Sequence, residues 1–316
     1  MKATSPLTVS LVASLALSAG SGLAQPTGDA PPKAELVAPV TPAPAAAPVL
    51  LPFGLRGVGV GNAVRLDQTF ASYTASDKAY QESVHFLSAA VKVGDSFAVS
   101  LRTGFDRYGQ PDRPTTTGFL NTVVAGQYSV KLAPTWRFAA VLGAGLPTAS
   151  GAGNNPDPDV AAAHKAGNLA RGLMNGVMFT PNEIYALFGA DLAFVARGFT
   201  AQIEVTVAPG ARVRGEVATP DATKVNSVNG LALGYYVIPQ LSVGAELWYQ
   251  RWLSTPASVE KDSSLRDALS LVGGVRGHID AGGFKVRPGV SYGVGVRGTL
   301  ADKHVHMLQL DVPVSF

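Results

Sequence analysis

The chain has 316 residues, 47% of them hydrophobic and only 15% charged, and a formal net charge of +3. An average soluble domain carries about 25% charged residues, so the composition is unusually apolar. The absence of cysteine excludes disulfides, acylation at a cysteine and thiolate metal sites. The basic residues are scattered among acidic ones, which gives no electrostatic support for nucleic-acid binding.

Residues 1–24 have the pattern of a secretory signal peptide. Lys2 precedes an apolar stretch from Leu7 to Ala19, and small residues then lead to Ala24, after which we predict cleavage. A transmembrane anchor is the alternative. The stretch is shorter than the roughly 20 apolar residues that a spanning helix needs, and it is diluted by serines, so a cleaved signal is favoured.

Residues 25–52 are dominated by proline and alanine. Such a composition extends as polyproline II and does not bury a core, so we predict a disordered lead on the periplasmic side. The alternative is a segment that folds back and plugs the interior of the following domain.

From Phe53 to Phe316 the main signal is alternation of apolar and polar residues, which places successive side chains on opposite faces of a strand. In 199–207 the apolar residues occupy the odd positions, and Thr, Gln and Glu occupy the even ones. Similar segments are 97–105, 120–132, 137–146, 188–196, 231–238, 241–253, 269–279, 284–297 and 308–316. We predict one all-β domain over 53–316, with its least certain strands at 54–73 and 168–179.

The connections alternate between short and long. The predicted tight turns are 94–96, 133–135, 238–240 and 281–283, and the predicted long connections are 109–118, 150–164, 219–226 and 255–264. Short turns at one end and long loops at the other are typical of a membrane β-barrel, with the turns periplasmic. Aromatic residues close to the long connections, Tyr73, Phe105, Tyr108, Phe119 and Trp252, are predicted to form an outer girdle at the lipid interface.

Strands that are apolar on one face must close on themselves in hydrocarbon, because an unpaired backbone edge is costly there. The fold class is therefore predicted as an antiparallel up-and-down transmembrane β-barrel of about 12 to 14 strands. Fourteen strands result if Arg197-Gly198 is a short outer turn and Pro209-Gly210 is a further periplasmic turn. Merging the segments around 199–218 gives about twelve.

If the apolar faces point outward, the polar faces enclose a lumen, and its lining is the candidate site. The predicted lumen-lining residues are Arg102, Asp106, Asn121, Gln127, Lys131, Asp191, Gln202, Glu204, Glu246, Gln250, Arg276, His278, Lys285, Arg287, Arg297, Gln309 and Asp311. Acidic residues gather on the middle strands and basic residues near the end, so a field across the lumen could orient a polar solute. The alternative is that these charges pair and fill the interior.

Three motifs resemble catalytic or metal-binding sequences, but each lacks a feature that the site would need. Gly289 to Gly293 has the letters of a serine-hydrolase elbow, but it lies in an alternating strand with no following helix. His304 and His306 share one face of the predicted last strand but lack a third ligand, and the Asn/Asp residues of 154–159 lack the spacing of a calcium loop. We therefore predict no catalytic site, no metal site and no cofactor.

The C-terminus alternates Leu308, Leu310, Val312, Val314 and Phe316. This pattern resembles the terminal strand of bacterial outer-membrane β-barrel proteins of the porin-like and transporter class, and the general resemblance covers 53–316. The resemblance implies that these five residues form an assembly signal read by the barrel-assembly machinery. It also implies outer-membrane lipid as a partner and the bacterial outer membrane as the location.

The first functional hypothesis is passive transport, in which a porin-like channel or transporter passes small solutes through the polar lumen. The second is a non-conducting barrel that acts as a structural or surface-interaction protein through its outer loops. A third, from another class, is a soluble exported lipocalin-like binder, which would have a solvated outer sheet face. The solute, the oligomeric state and the role of the lead stay open.

Overall fold

The computed structural model describes residues 49–75, 78–109, 114–219 and 221–316. Their strand segments form one antiparallel sheet. The segments are β1 Ala63–Ala75, β2 Lys78–Val93, β3 Phe97–Gly109, β4 Thr116–Phe119, β5 Thr122–Ala133, β6 Trp136–Leu146, β7 Glu183–Ala196, β8 Phe199–Arg212, β9 Thr223–Ile238, β10 Leu241–Trp252, β11 Asp267–Gly277, β12 Ile279–Ala281, β13 Phe284–Val286, β14 Gly289–Arg297 and β15 His306–Ser315.

The sheet closes into a barrel because β1 pairs with β15 along most of its length, from Ala63 opposite Ser315 to Ser72 opposite His306. Three barrel strands are interrupted: β4 continues as β5, β11 continues as β12, and β13 continues as β14. The described part of the chain therefore forms twelve barrel strands. The predicted fold class is confirmed, and within the predicted range the structure selects twelve.

The prediction of fourteen strands is wrong, and the turn geometry explains why. Pro209-Gly210 is not a turn, because both residues lie inside β8. Arg197-Gly198 is a tight turn, but it joins the ends of β7 and β8 beside the other short turns rather than on the outer side. Both residues have positive φ, 49° and 81°, which is the geometry of a two-residue hairpin turn.

Five short connections lie at one end of the barrel, here called the turn end; the connections at the opposite loop end are longer, except for the two residues between β1 and β2. The turn-end hairpins follow Val93, Ala133, Ala196, Ile238 and Ala281. The described loop-end connections contain three helices, α1 Pro158–Ala170, α2 Ala257–Lys261 and α3 Thr299–Asp302. Among the described residues, no helix has the length and apolar character needed to cross a membrane.

The outer surface of the barrel is apolar and its inner surface is polar, as β15 illustrates. Leu308, Leu310 and Val312 are each about two-fifths exposed, whereas Gln309 and Asp311 between them are almost fully buried. Large aliphatic and aromatic side chains are exposed in the same way on the other long strands. A continuous exposed apolar belt of this kind fits lipid and not water. This is the orientation that the sequence predicted.

The apolar belt predicts a strong dependence of stability on depth in the bilayer. Val205 is exposed near the middle of β8, and Leu132 is exposed beside the turn after β5. Val205→Arg is expected to lower the free energy of unfolding from lipid vesicles by about 2–4 kcal/mol, and Leu132→Arg by about 0–1 kcal/mol. Denaturant titration of both variants measures the difference. Equal losses would contradict a lipid-facing outer surface.

Candidate functional site: the occupied lumen

Residues 49–62, here called the plug segment, lie inside the barrel on the turn-end side. The amide of Leu50 donates to Thr200 Oγ1 at 3.2 Å near the start of β8, and the chain returns to the turn end to begin β1 at Ala63. At its deepest point Gly54 packs on the Trp248 indole, where a Cβ would lie 2.1 Å from Cζ2, so only glycine fits there. Residues 49–52, assigned to the lead from composition, are the start of this segment.

Wall side chains bond the main chain of the plug segment, which has no secondary structure of its own. Their bonds are Gln202 to the Arg56 carbonyl (2.6 Å), Gln309 to the Phe53 carbonyl (2.8 Å), Gln127 to the Gly57 carbonyl (2.9 Å), Ser129 to the Val58 carbonyl (2.6 Å) and Arg276 to the Pro52 carbonyl (3.3 Å). Glu246 accepts the amides of Phe53 and Gly54, the latter at 3.0 Å. Buried backbone groups must be paired, and here the barrel wall pairs them.

One ion cluster ties the plug segment to the wall, and a second joins wall strands β1, β11 and β15 beside it. Arg56 lies 3.4 Å from Asp191 and 3.3 Å from Glu204, so one cation is shared by the two acidic residues predicted on the middle strands. Asp311 bridges two cations, Arg65 at 2.8 Å and Arg276 at 3.1 Å. Because each of these carboxylates is almost fully buried, loss of its partner would leave an uncompensated charge.

The connection 147–182 between β6 and β7, here called the internal segment, folds into the loop end of the lumen. Its helix α1 begins with Asp157 as the N-cap, which accepts the amides of Asp159 and Val160, and with Pro158 in the first turn. Several small residues of α1 are fully buried, which lets the helix lie close to the wall. The Asn/Asp stretch of 154–159, for which the sequence gives no calcium-loop spacing, is largely exposed and leads into the start of this helix.

Three side-chain contacts hold the internal segment to the wall. Arg171 follows α1 and donates to both carboxylate oxygens of Asp67, at 3.0 and 3.2 Å. His164 on α1 contacts Asp106 Oδ2 through Nδ1 at 2.7 Å. Asn121, in the break between β4 and β5, donates to the carbonyls of Val177 at 3.0 Å and Thr180 at 2.8 Å. These bonds close the loop end of the lumen.

The structure places most of the predicted lumen residues inside. Those that are almost fully buried are Asp106, Asn121, Asp191, Gln202, Glu204, Glu246, Gln250, Arg276, Gln309 and Asp311, and those that are partly buried are Arg102, Gln127, His278 and Arg287. Lys131 and Lys285 are exposed near the turn end. Arg297 is exposed at the loop end, where it pairs with Asp267 at 3.2 Å. Those three positions do not lie within the packed interior.

Sequence reasoning missed several lumen residues. Arg65 and Asp67 lie on β1, whose alternation is weak because Gln68 interrupts the apolar outer face. Arg171 and His164 come from a connection, where no strand period marks them. Tyr73 and Tyr108, predicted to lie in the outer girdle, are instead buried inside and stack on either side of Tyr80, with ring centroids 5.4 and 6.0 Å away.

The serine motif and the histidine pair noted in the sequence do not form a catalytic or metal site among the described residues. Ser291 is buried on the inner face of β14, in the middle of a strand. His304 lies before β15 and so does not share a strand face with His306, which contacts Tyr292 at 2.7 Å. Within the described part of the chain, no group of three or more His, Cys, Asp or Glu residues could hold a metal ion. That the chain has no enzymatic activity and no cofactor stays a prediction.

A cavity of about 710 Å³ remains beside the plug segment. Its lining runs from Lys285 and Phe316 at the turn end, along the inner faces of β1, β2, β3 and β5 to β9, to Met174 and Met178 in the internal segment. This volume lies within the usual range of ligand pockets, roughly 300–1,000 Å³. The plug segment therefore fills only part of the lumen, and the cavity ends where the internal segment crosses it.

Among protein-family models, curated proteins and solved structures, only solved structures resemble the chain. No protein-family model and no curated protein matches the chain. Among solved structures, the NanC porin has a TM-score of 0.49 and 9% identity over 79% of this chain and 98% of that one. An outer membrane channel from Pseudomonas putida F1 has a TM-score of 0.49 and 10% identity over 87% of this chain and 100% of that one. The β domain of the Bordetella autotransporter BrkA has a TM-score of 0.48 and 15% identity over 81% of this chain and 99% of that one.

The fold and the site together define a class: a closed twelve-stranded barrel with an apolar outer belt and a lumen occupied by two inserted segments. Bacterial outer-membrane barrels, both porins and autotransporter domains, are among its structural neighbours. The closed sheet and its outward apolar faces confirm the barrel fold that the general resemblance implied. The signal peptide and the lead up to residue 48 lie outside the described residues, and their assignment stays a prediction.

The contact between His164 and Asp106 predicts that the internal segment is held less tightly as pH rises. Burial lowers the pKa of His164, but the hydrogen bond and the negative charge of Asp106 outweigh burial and raise the pKa above its ordinary value. A raised folded-state pKa gives stability that is fully present below the unfolded pKa and is lost as pH rises through the folded pKa. Hydrogen exchange of the α1 amides, corrected for the intrinsic rate, should therefore quicken across that window.

Asp106→Asn supplies the control for this pH dependence. Asparagine keeps an oxygen that can accept the Gly118 amide, now 3.0 Å from Asp106, but it removes the charge that favours protonated His164. The quickening of α1 exchange with rising pH should then be lost, because burial alone lowers the pKa of His164. A variant with an undiminished pH dependence would contradict the assigned role of this pair.

Proposed function

We propose that the chain is a bacterial outer-membrane channel that passes small polar solutes and is held closed by its internal segment. The observation that carries the proposal is the cavity of about 710 Å³, which extends from the turn end to the underside of the internal segment. The predicted signal peptide and C-terminal strand pattern support export and insertion into the outer membrane.

The internal segment has the features of a removable closure. It is a connection between two strands, so it can move without breaking the sheet, and connections are the mobile parts of barrels. The contacts of Arg171, His164 and Asn121 attach it to the wall at three places. Displacement of this segment would extend the cavity toward the loop end and make a continuous path.

A non-conducting barrel is the second candidate, and the plug segment favours it. At least five wall side chains bond the main chain of this segment, and Arg56 is held in buried ion pairs. An interior so fully bonded is what a purely structural barrel needs, because the paired charges fill its lumen. Conductance measurements separate the two candidates.

Loosening the internal segment should increase channel opening. We choose the double variant Asp67→Asn with Arg171→Gln, because removing both charges avoids leaving one of them buried and unpaired. In planar bilayers the wild-type barrel is expected to show brief discrete current steps, and the variant longer or more frequent ones. Loss of a bidentate ion pair shifts a two-state equilibrium by about tenfold or more.

A reversible lock gives the opposite test. A Cβ on Gly145 would lie 3.5 Å from the Cβ of Val177, within the range of roughly 3.5–4.5 Å found in disulfides. Since the chain has no cysteine, Gly145→Cys with Val177→Cys introduces one defined pair. The oxidised variant should lose its current steps and regain them on reduction. A folded barrel without steps in the wild type, the loosened variant and the reduced lock would refute a channel and leave the non-conducting barrel.

A further inference from the structure

The inner wall of the cavity carries a row of three polar side chains on adjacent strands. Arg65 on β1 is directly opposite Ser88 on β2, and Ser88 is directly opposite Arg102 on β3. All three line the cavity. Adjacent strands are about 4.8 Å apart, so the two arginine backbones lie roughly 10 Å apart with a hydroxyl between them. This is a suitable width for an oxyanion held between two guanidinium groups.

Arg102 lacks a counter-charge of its own. Its Nε donates to Ser88 Oγ at 3.1 Å and its guanidinium lies 5.7 Å from the centre of the Phe86 ring, but no described carboxylate forms an ion pair with it. The carboxylates whose charges reach it, Asp67 and Glu204, are already paired with Arg171 and Arg56. A partly buried, unpaired guanidinium is costly, which favours an anion beside it.

The charge of the cavity surface points the same way. Its charged lining residues within the described part of the chain are Arg56, Arg65, Arg102, Lys285, Arg287 and Glu204. Five are basic and one is acidic. Three of the basic residues, Arg102, Lys285 and Arg287, form no ion pair with a described residue. A cavity lined mainly by cations concentrates anions and repels small cations.

We propose that Arg65, Ser88 and Arg102 form a binding site for a small solute that carries a carboxylate or phosphate group. Arg102 supplies the free guanidinium, the Ser88 hydroxyl lies between the two cations, and Arg65 contributes an Nε that has no hydrogen-bond partner among the described residues. Lys285 and Arg287 lie near the turn end of the cavity, where they would attract the anion. The inference deepens the proposed function, since it names the class of solute that the channel would accept.

Isothermal titration of the folded barrel in detergent tests the site independently of conduction. The probes are D-glucuronate, glucose 6-phosphate and uncharged glucose, which share a sugar ring and differ in charge. The wild-type barrel should bind both anions at least tenfold more tightly than glucose, and added salt should weaken the binding. Arg102→Gln should weaken the binding of the anions by about tenfold or more, because a charged hydrogen-bond donor is lost.

Two further variants keep the test decisive. Arg251→Gln removes an exposed arginine at the loop end of β10 and should bind as the wild type does. Arg102→Gln should unfold at a denaturant concentration no lower than the wild type, because it removes an unpaired charge. If it fails to fold, Ser88→Ala replaces it, with an expected few-fold loss of affinity.

The outcomes separate this inference from the proposed channel. Equal binding of glucose, no binding of either anion, or unchanged binding by the folded Arg102→Gln variant would overturn the anion site. Selective anion binding by a barrel that never shows current steps would keep the site and refute the channel. Current steps without anion binding would keep the channel and refute the site.

Discussion

The structure depends on one constraint: a sheet with a lipid-facing outer surface must pair every backbone group within itself and enclose its polar side chains. The pairing of β1 with β15 meets the first requirement, because it leaves the sheet without an edge. The second requirement makes the interior unusually polar, and many lumen charges are almost fully buried. The remaining features of the molecule are ways in which these enclosed groups find partners.

The two inserted segments supply those partners in different ways. The plug segment brings an arginine and a run of backbone groups to the acidic and amide side chains of the turn-end half. The internal segment brings Arg171 and His164 to Asp67 and Asp106 at the loop end. Each segment completes charges on the wall that would be uncompensated without it, so barrel and inserts stabilise each other. This compensation is incomplete near Arg102, which has no ion pair with a described residue, and at Glu82, whose buried carboxylate has no hydrogen-bond partner among the described residues.

The charges that the inserted segments leave unpaired determine the charge of the cavity lining. The cavity lies beside the plug segment, and its charged lining is mostly basic. Buried acidic side chains lie on both sides of the lumen, and Arg56 pairs with two of them, Asp191 and Glu204. The field predicted across the lumen stays a prediction, and the structure adds that the charged lining of the cavity is mainly basic. Selection among solutes would then depend on charge before shape.

The sequence by itself determined the class of fold, the outward direction of the apolar faces, and most turn-end hairpins, because alternation with period two and turn residues are local signals. It also located Asp106, Asn121, Asp191 and Glu204 on inner faces. It did not determine the strand count, the inward position of Tyr73, or the roles of Arg56, Arg65 and Arg171. Only the tertiary structure decided these, because they depend on which distant segments enter the lumen, and sequence periodicity carries no information about that choice.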